Sequence, residues 1–410
     1  MQALEGYRIL DFGTAVAGPM AVQILADMGA EVIKVESRKS LDGLRLGRPI
    51  VGDDIAGGDE GKWPDIQPSF HGVNRNKLGI TLDIKHPEGL LLIKRLVEIS
   101  DVVADNFSPG VMARAGLDYD SLRKIKPDII TVSLSGVGQY GPISNATTYA
   151  NNILAFGGAG SMIGYYGEQP LGMCSLYYGD SNASVHAAFA VLAALYYHES
   201  TGEGQQIDLS EAEASTSILG EPIMDYIMNG RVRGPQGNRH PFMAPHNNYR
   251  CKGGDKWVSI AIKDDAEWQN FCGAIGNPEL ASEKKFADGF SRWNNQDELD
   301  ELVTNWTTNY TPYEVMDILQ KAGVAAVPVM DVEDQYFDPH LKERHACIEV
   351  EHPLIGLEVL YGIPWKLSET PGQIRRVAPS LGEHNDYVFG ELLGLCPKEI
   401  ARLTEEKVIY

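Results

Sequence analysis

The sequence predicts an α/β protein with a doubly wound, mostly parallel sheet and a smaller α+β region further along the chain. Three observations carry this. Residues 7–35 alternate a short apolar strand, a helix-period segment and a second apolar strand, and the same alternation returns between residues 87 and 133. Beyond residue 257 one strand is followed by several amphipathic helices before the next strand. The 410 residues, 43% of them hydrophobic and 22% charged, suffice for two or three domains at roughly 150 residues each.

Taken in order, Tyr7 to Phe12 reads as a buried strand, Ala17 to Asp27 as a helix stopped by Gly29, and Glu31 to Val35 as a second strand. Residues 37 to 80 are rich in Gly, Asp and Pro and read as a long surface excursion. Pro87 to Ile99 is a helix, Asp101 to Ala104 a strand, Tyr119 to Ile125 a helix and Asp128 to Ser133 a strand. Asp180 to His198 is apolar almost all round and Ala-rich, the pattern of a helix buried in the core. A Gly-containing polar stretch at 199–206 interrupts it, and a new helical pattern covers Ser210 to Asn229. Residues 234–256 are rich in Gly, Pro, Asn and charge. Trp257 to Ile262 alternates like a strand, helices follow at Ala266–Ile275, Gln296–Thr307 and Pro312–Ala322, and Val324 to Val332 is a strand. Asp386–Leu393 and Pro397–Lys407 are helical.

Composition excludes several classes. With 35 basic against 56 acidic side chains the formal charge is −21, the wrong sign for a protein that neutralises nucleic-acid phosphates. No apolar run approaches the roughly 18 to 20 residues of a membrane span, and the opening residues lack a basic-then-apolar leader, so a cytoplasmic protein is expected. Five scattered cysteines (Cys174, Cys251, Cys272, Cys347, Cys396) without a CxxC support neither a disulfide framework nor a zinc ribbon, and they read as reduced and mostly buried. The histidines lack metal-ligand spacing, so no metal is expected.

Single motifs are weak. Gly136-x-Gly138-x-x-Gly141 follows a strand but runs into Pro142 rather than a helix, which favours a tight turn over a dinucleotide site. No G-x-S-x-G elbow is present. His186 reads as a hydrogen-bonded core histidine, whereas His240 and His246 lie in a Pro-broken loop of the kind that lines sites. Arg38, Arg75, Lys77 and Arg114 cluster in the first βα units of an acidic chain. Such a group can neutralise the phosphates of an anionic cofactor.

An ordered set of segments is far more specific: ALEGYRILDF and AGP, GAEVIKVES, NRNKLGITLDIKHPEG, DVVADNFSPGVMARAGLDY, PDIITVSLSGVGQYGP, GDSNASVHAAFAVLAALYYHESTGEGQQIDLSEAE and LGEHNDYV. From about residue 3 to the end the chain resembles the class III CoA-transferases, the formyl-CoA and carnitine type, and looks closest to a subunit of the benzylsuccinate branch. The resemblance implies a Rossmann-like large domain built from both chain ends (1–200 and 329–410, the latter including the return linker), a linker at 201–232, a small domain at 233–328, and two interlocked subunits. It also implies CoA or acyl-CoA as the bound substrate, succinyl-CoA among the donors, and an aromatic acid such as benzylsuccinate, met in anaerobic degradation, as acceptor. Matched position by position, the implied CoA-binding residues are Ala15, Val16, Ala17, Arg38, Asn74, Lys77, Asn106, Phe107 and Arg114. A lysine common in the strand before the glycine turn is Ser135 here.

The family's nucleophile is an aspartate that forms acyl anhydrides, and the matching stretch, Ile163 to Pro170, has no aspartate. The nucleophile position falls on Gly167 or Glu168 depending on the direction of counting. A glutamate there is one methylene longer, a displacement of about 1 Å that matters for attack geometry. Asp180 reads as a supporting residue. The related racemases use an aspartate there as acid/base, but the histidine they pair with it would fall near Tyr149. The leading reading is a non-nucleophilic subunit whose homologous partner carries the aspartate. The alternatives are a self-sufficient enzyme using Glu168, or a racemase-like enzyme. Tyr165, Tyr166, Tyr177 and Tyr178 could face an aromatic acyl group.

Overall fold

The structure, a computed structural model, describes residues 2–47, 60–172 and 177–410. The chain forms two compact units, one of Met1–Gly160, Met173–Met228 and Glu343–Tyr410, the other of Ser161–Gly172 and Asn229–Lys342.

In chain order the larger unit begins with β1 (Arg8–Asp11), α1 (Ala17–Asp27), β2 (Glu31–Glu36), α2 (Pro68–Asn74), β3 (Lys77–Thr81), α3 (Pro87–Glu98) and β4 (Val102–Asp105). Short helices α4 (Val111–Arg114) and α5 (Tyr119–Leu122) lead to β5 (Ile130–Ser135), followed by α6 (Ala150–Phe156), α7 (Tyr178–Thr201), β6 (Gln206–Ser210), α8 (Glu211–Thr216) and α9 (Gly220–Asn229). The six strands form one parallel sheet in the order β3-β2-β1-β4-β5-β6. This is the doubly wound order, with its switch point between β1 and β4.

Successive side chains of a strand face opposite ways, so each central strand serves two cores. Leu10, Ile33 and Val103 join Leu92, Ile93, Leu96 and Phe389 on one face. Ile9, Val32 and Val102 join Val22, Leu25, Ala187 and Val191 on the other. Burial on both faces explains why these strands read as nearly continuous apolar runs rather than as alternation. The mixed α/β class with a parallel central sheet is therefore as expected from the sequence.

The second unit contains an antiparallel sheet in the order β7 (His246–Arg250), β8 (Trp257–Ala261) and β9 (Ala325–Val329). Between β8 and β9 run α10 (Asp265–Ala274), α11 (Gly289–Asn294), α12 (Gln296–Thr307) and α13 (Pro312–Lys321); α14 (Val332–Phe337) and α15 (Pro339–Glu343) follow β9. Trp268, Phe271, Val258, Ile260, Leu299 and Leu319 make its core. Helix starts are fixed locally. The Asp264 carboxylate accepts from Glu267 N–H at 2.9 Å, and Thr311 with Glu314 forms a reciprocal cap. The chain returns through the hairpin β10 (Cys347–His352) and β11 (Gly356–Tyr361), a π-helical stretch at Asp386–Leu392, and α16 (Pro397–Glu405).

Several expectations are corrected. The supposed surface excursion at 37–80 carries α2 and the sheet-edge strand β3, with Phe70, His71, Asn74, Arg75 and Lys77 buried. The supposed linker at 201–232 carries β6, the opposite edge strand, together with α8 and α9. The 234–256 stretch contains β7. Helix α7 is buried on one side only, through Ala183, Ala187, Val191 and Leu195. Val185, Phe189, Leu192 and Tyr196, spaced four, three and four residues apart, are exposed. His186 is exposed too, with Nδ1 2.9 Å from the Asn182 carbonyl. Cys251 and Cys272 are buried as expected but Cys347 and Cys396 are exposed, and Cys174 lies outside the described residues.

Candidate functional site

The turn after β1 is held in an unusual shape by buried charges. Ala15 has φ +56, a left-handed conformation that a side chain disfavours, so its neighbours must hold it there. Its N–H donates to the Asp42 carboxylate at 3.1 Å, Gly13 N–H donates to Asp11 at 2.8 Å, and Thr14 exchanges two 2.8 Å bonds with the Asn106 amide. Beneath the turn, the Lys34 ammonium donates to the Gly13 carbonyl at 2.7 Å and lies 3.6 Å from Asp42. The Lys77 ammonium donates to Asp11 at 2.7 Å, the Pro19 carbonyl at 2.8 Å and Asn74 Oδ1 at 2.9 Å. Burial would raise Asp11, but the two lysines overcome it and hold the carboxyl below its ordinary range. Burial pushes Lys77 down to about 8.

Burial divides the expected CoA set. Lys77 is 0% exposed with all its donors used, Asn74 is equally buried, and Arg75 is paired with Asp27 at 2.7 Å. All three side chains are buried and held by protein partners instead of facing the cavity. Arg38 and Arg114 are exposed, and Arg38 makes only a 3.4 Å contact to the Leu381 carbonyl among its described hydrogen bonds.

Above the turn lies a cavity of about 980 Å³, bounded by residues that follow the carboxyl ends of β1, β4, β5 and β6. Ligands of open α/β sheets bind at that edge, near the switch point. Ala15, Val16, Ala17, Asn106 and Phe107 of the expected set line it, as does Tyr177; Arg38, Asn74, Lys77 and Arg114 do not. The glycine-turn residue Gly136 also lines it, and a Cβ there would fall 2.0 Å from the Thr148 hydroxyl. A tight turn is thus the work of that motif.

Among the lining residues the only carboxyl groups are Asp180, in the first turn of α7, and Glu211, which opens α8 immediately after β6. They are hydrogen-bonded to each other. Burial, and then the neighbouring Asp180 charge, push Glu211 up to about 8; burial also raises Asp180, while the bond from Glu211 opposes the rise. Two buried carboxyls this close titrate as a pair, and both burial and their mutual repulsion favour a proton held between them. The second Glu211 oxygen, Oε2, and the hydroxyl of Ser135 are buried without a hydrogen-bond partner, on the same cavity. Registry explains the proximity: Ser135 is paired with Ser210 across β5 and β6, and Ala212 N–H donates to the Gly136 carbonyl at 3.0 Å. Sequence reasoning passed over Glu211 as a helix start. The available signal was a carboxylate at the carboxyl end of a parallel strand.

A second cavity, about 810 Å³, lies within the smaller unit, lined by Tyr165, Tyr166, Arg239, Asn247, Trp257 and Asp300 among others. The Arg239 guanidinium lies over the Tyr166 ring at 4.2 Å and is ion-paired with Asp297. Gly237 N–H donates to the Gly164 carbonyl at 3.1 Å, tying the 163–170 loop down. Glu168 itself is exposed on that loop and lines neither cavity. The His240 and His246 rings are 5.2 Å apart in this unit, with His246 Nδ1 2.6 Å from the Asn238 carbonyl; neither ring lines the cavities. In the larger unit His71, His352 and Glu358 cluster, His71 bonding Glu358 at 2.7 Å. The two rings stack at 4.5 Å with 21° between planes. An imidazole binds a metal in its ring plane, so stacked rings are poorly arranged to share one ion, and the cluster is a buried hydrogen-bonded pair with a stacked neighbour.

The chain is 34% identical over 413 residues to succinyl-CoA–D-citramalate CoA-transferase of Chloroflexus aurantiacus, spanning 99% of this chain and 98% of that protein. It is 33% identical over 408 residues to the beta subunit of succinyl-CoA–L-malate CoA-transferase from the same organism, with 99% and 98% covered. The crystal structure of a CAIB/BAIF family protein from Brucella suis matches with a TM-score of 0.84 at 29% identity, over 95% of this chain and 99% of that one. The sequence profile of CoA-transferase family III matches residues 4–385. With the parallel sheet, the cavity at its carboxyl edge and these likenesses in agreement, the chain belongs to CoA-transferase family III.

Proposed function

We propose that this protein transfers coenzyme A from succinyl-CoA to a short carboxylic acid. The observation that carries this reading is the cavity of about 980 Å³ at the ends of β1, β4, β5 and β6, with Ala15–Ala17, Asn106 and Phe107 on its wall. Apolar surface and amide groups there suit adenine and pantetheine, and the exposed Arg38 and Arg114 are the cations left for phosphates. Lys77 and Lys34 act one layer down, fixing the backbone that such a ligand would touch. The acids in the relatives' names, citramalate and malate, are short and aliphatic, which favours that class over benzylsuccinate.

A second reading concerns assembly. The chain is one half of a pair with a homologous subunit, and that subunit supplies the aspartate absent from Ile163–Pro170. The exposed Glu168, the subunit name of one relative and the unpaired apolar stripe of α7 favour it.

The test is to incubate the purified protein, alone and with any co-purifying homologue, with succinyl-CoA and malate, citramalate, glutarate or benzylsuccinate, and to follow new acyl-CoA by mass spectrometry. Formation of a short aliphatic acyl-CoA is expected. Absence of exchange with all four acids in both preparations would defeat the CoA-transfer reading.

A further inference from the structure

We infer that a small cavity between the β4–β5 edge and the helices α4 and α5 binds one monovalent alkali cation, potassium or sodium, on the oxygens of Asp105, Thr131 and Ser133. The inference is independent of the CoA-transfer reading, and its test does not use CoA.

Strand register builds the site. β4 and β5 pair Val103 with Thr131 and Asp105 with Ser133, and β6 extends the first of these rows with Gln206. Alternation along a strand puts all five side chains on one face of the sheet. All five line a cavity of about 90 Å³, and residues of α4 and α5 complete its wall. The volume decides the class of ligand. One water needs about 10 to 15 Å³, and pockets for small organic molecules begin near about 300 Å³. This space holds an ion with a few waters.

The charges decide the sign. Asp105 is 5% exposed. Asp11, Asp27, Glu36 and Asp42 are buried to a similar depth in the same unit, and each is ion-paired with a lysine or arginine. Asp105 has neutral partners instead. The Ser133 hydroxyl donates to one carboxylate oxygen at 2.7 Å and the Phe107 N–H to the other at 3.0 Å, and among the described residues no basic side chain lines the cavity. Burial pushes the carboxyl up to about 6, which leaves it ionised at neutral pH. A buried charge of this kind calls for an opposite charge beside it.

Thr131 supplies the second observation. Its hydroxyl is buried on the same cavity, with the residue 6% exposed, and has no hydrogen-bond partner. Ser133, whose proton goes to Asp105, keeps oxygen lone pairs for a ligand. Hard oxygen donors suit alkali and alkaline-earth ions. One buried carboxylate among neutral hydroxyls matches a single positive charge, whereas calcium gathers about six to eight oxygens. Asp118 also lines the cavity but is partly exposed, where solvent screens it. A cation here braces the segment that follows β4, because Phe107 N–H is tied to Asp105 and Ser108 lines both this cavity and the large one.

The experiment compares thermal melts of the full-length protein in potassium, sodium and choline chloride at equal ionic strength, with millimolar calcium as a further arm. A midpoint about 2 °C or more higher in saturating potassium or sodium than in choline is expected, and which of the two acts at lower concentration identifies the ion. Thr131→Val, close in shape to the native side chain, should raise the half-saturating concentration by about tenfold or more, the loss that even an outer partner of a metal ligand causes. Asp105→Asn should melt at the same temperature in all three salts. Crystals grown with thallium(I), which substitutes for potassium, should show an anomalous peak among Asp105, Thr131 and Ser133. Equal melts of the wild type in all three monovalent salts would mean a hydrated cavity only and would overturn the inference. So would stabilisation by calcium alone, an unchanged half-saturating concentration in Thr131→Val, or a thallium peak elsewhere. If Asp105→Asn does not fold, Thr131→Val and the thallium peak decide.

Discussion

Lys77 and Arg38 were both expected to hold phosphate, and the structure separates them by what each already touches. Replacing Lys77 with Met leaves the buried Asp11 carboxylate without its closest cation, and breaking a buried pair costs about 3 to 5 kcal/mol. Urea unfolding should show that loss. Arg38→Ala and Arg114→Ala should leave the unfolding midpoint in place and weaken CoA binding by about 1 to 3 kcal/mol each in calorimetry, as for a lost charge-assisted hydrogen bond. Unchanged CoA affinity in both variants would remove them from the site. Glu211 gives a pH signature. Because burial holds its pKa at about 8, the folded state binds more protons than the unfolded chain between the ordinary carboxyl range and pH 8, and stability falls as pH rises through that window. Thermal melts from pH 5 to 8 should show this fall in the wild type and a shallower one in Glu211→Gln. The clustering of basic residues could be seen in the sequence. Which of them face inward could not, because burial depends on strands joined across the sheet.

Helix α7 shows how an element can be read correctly for type and wrongly for surroundings. Its low polarity was visible, but the apolar residues divide into a small-residue side packed on α1 and a bulky side with Phe189 and Tyr196 exposed. Exposed bulky residues at helical spacing mark an association surface. Phe189→Asp with Tyr196→Lys should lower the sedimenting mass at micromolar concentration without altering the far-ultraviolet circular dichroism. An unchanged mass would exclude this face from assembly. The strands that escaped notice share a physical cause. In Lys77–Thr81 a buried ion-paired lysine stands where an apolar residue would signal a strand, and in His246–Arg250 only Tyr249 points into the core. Strands whose inward positions are polar or few give no period-two signal. The first βαβ unit, buried on both sides, gave a strong one.

At the scale of the whole molecule, the sheet could be anticipated from its alternating elements, whereas the closing contacts of its β3 edge join residues far apart in sequence. Asn76 Oδ1 accepts from Arg375 N–H at 2.7 Å, Thr81 N–H donates to the Asn385 side chain at 3.0 Å, and the Thr81 hydroxyl reaches the Tyr410 carbonyl at 2.7 Å. Leu82 bridges to Ile409, and Asp83 N–H donates to the Val408 carbonyl at 2.8 Å. These contacts span about three hundred residues, and they set an order of events during synthesis. As the chain leaves the ribosome, β3 emerges about three hundred residues before the segment that covers it, so this flank waits uncovered through translation of the whole smaller unit. A nascent chain stalled before residue 375 should therefore show rapid amide exchange in residues 77–83. Release of the finished polypeptide should slow that exchange, and equal protection before and after release would mean that the edge closes without its C-terminal seam.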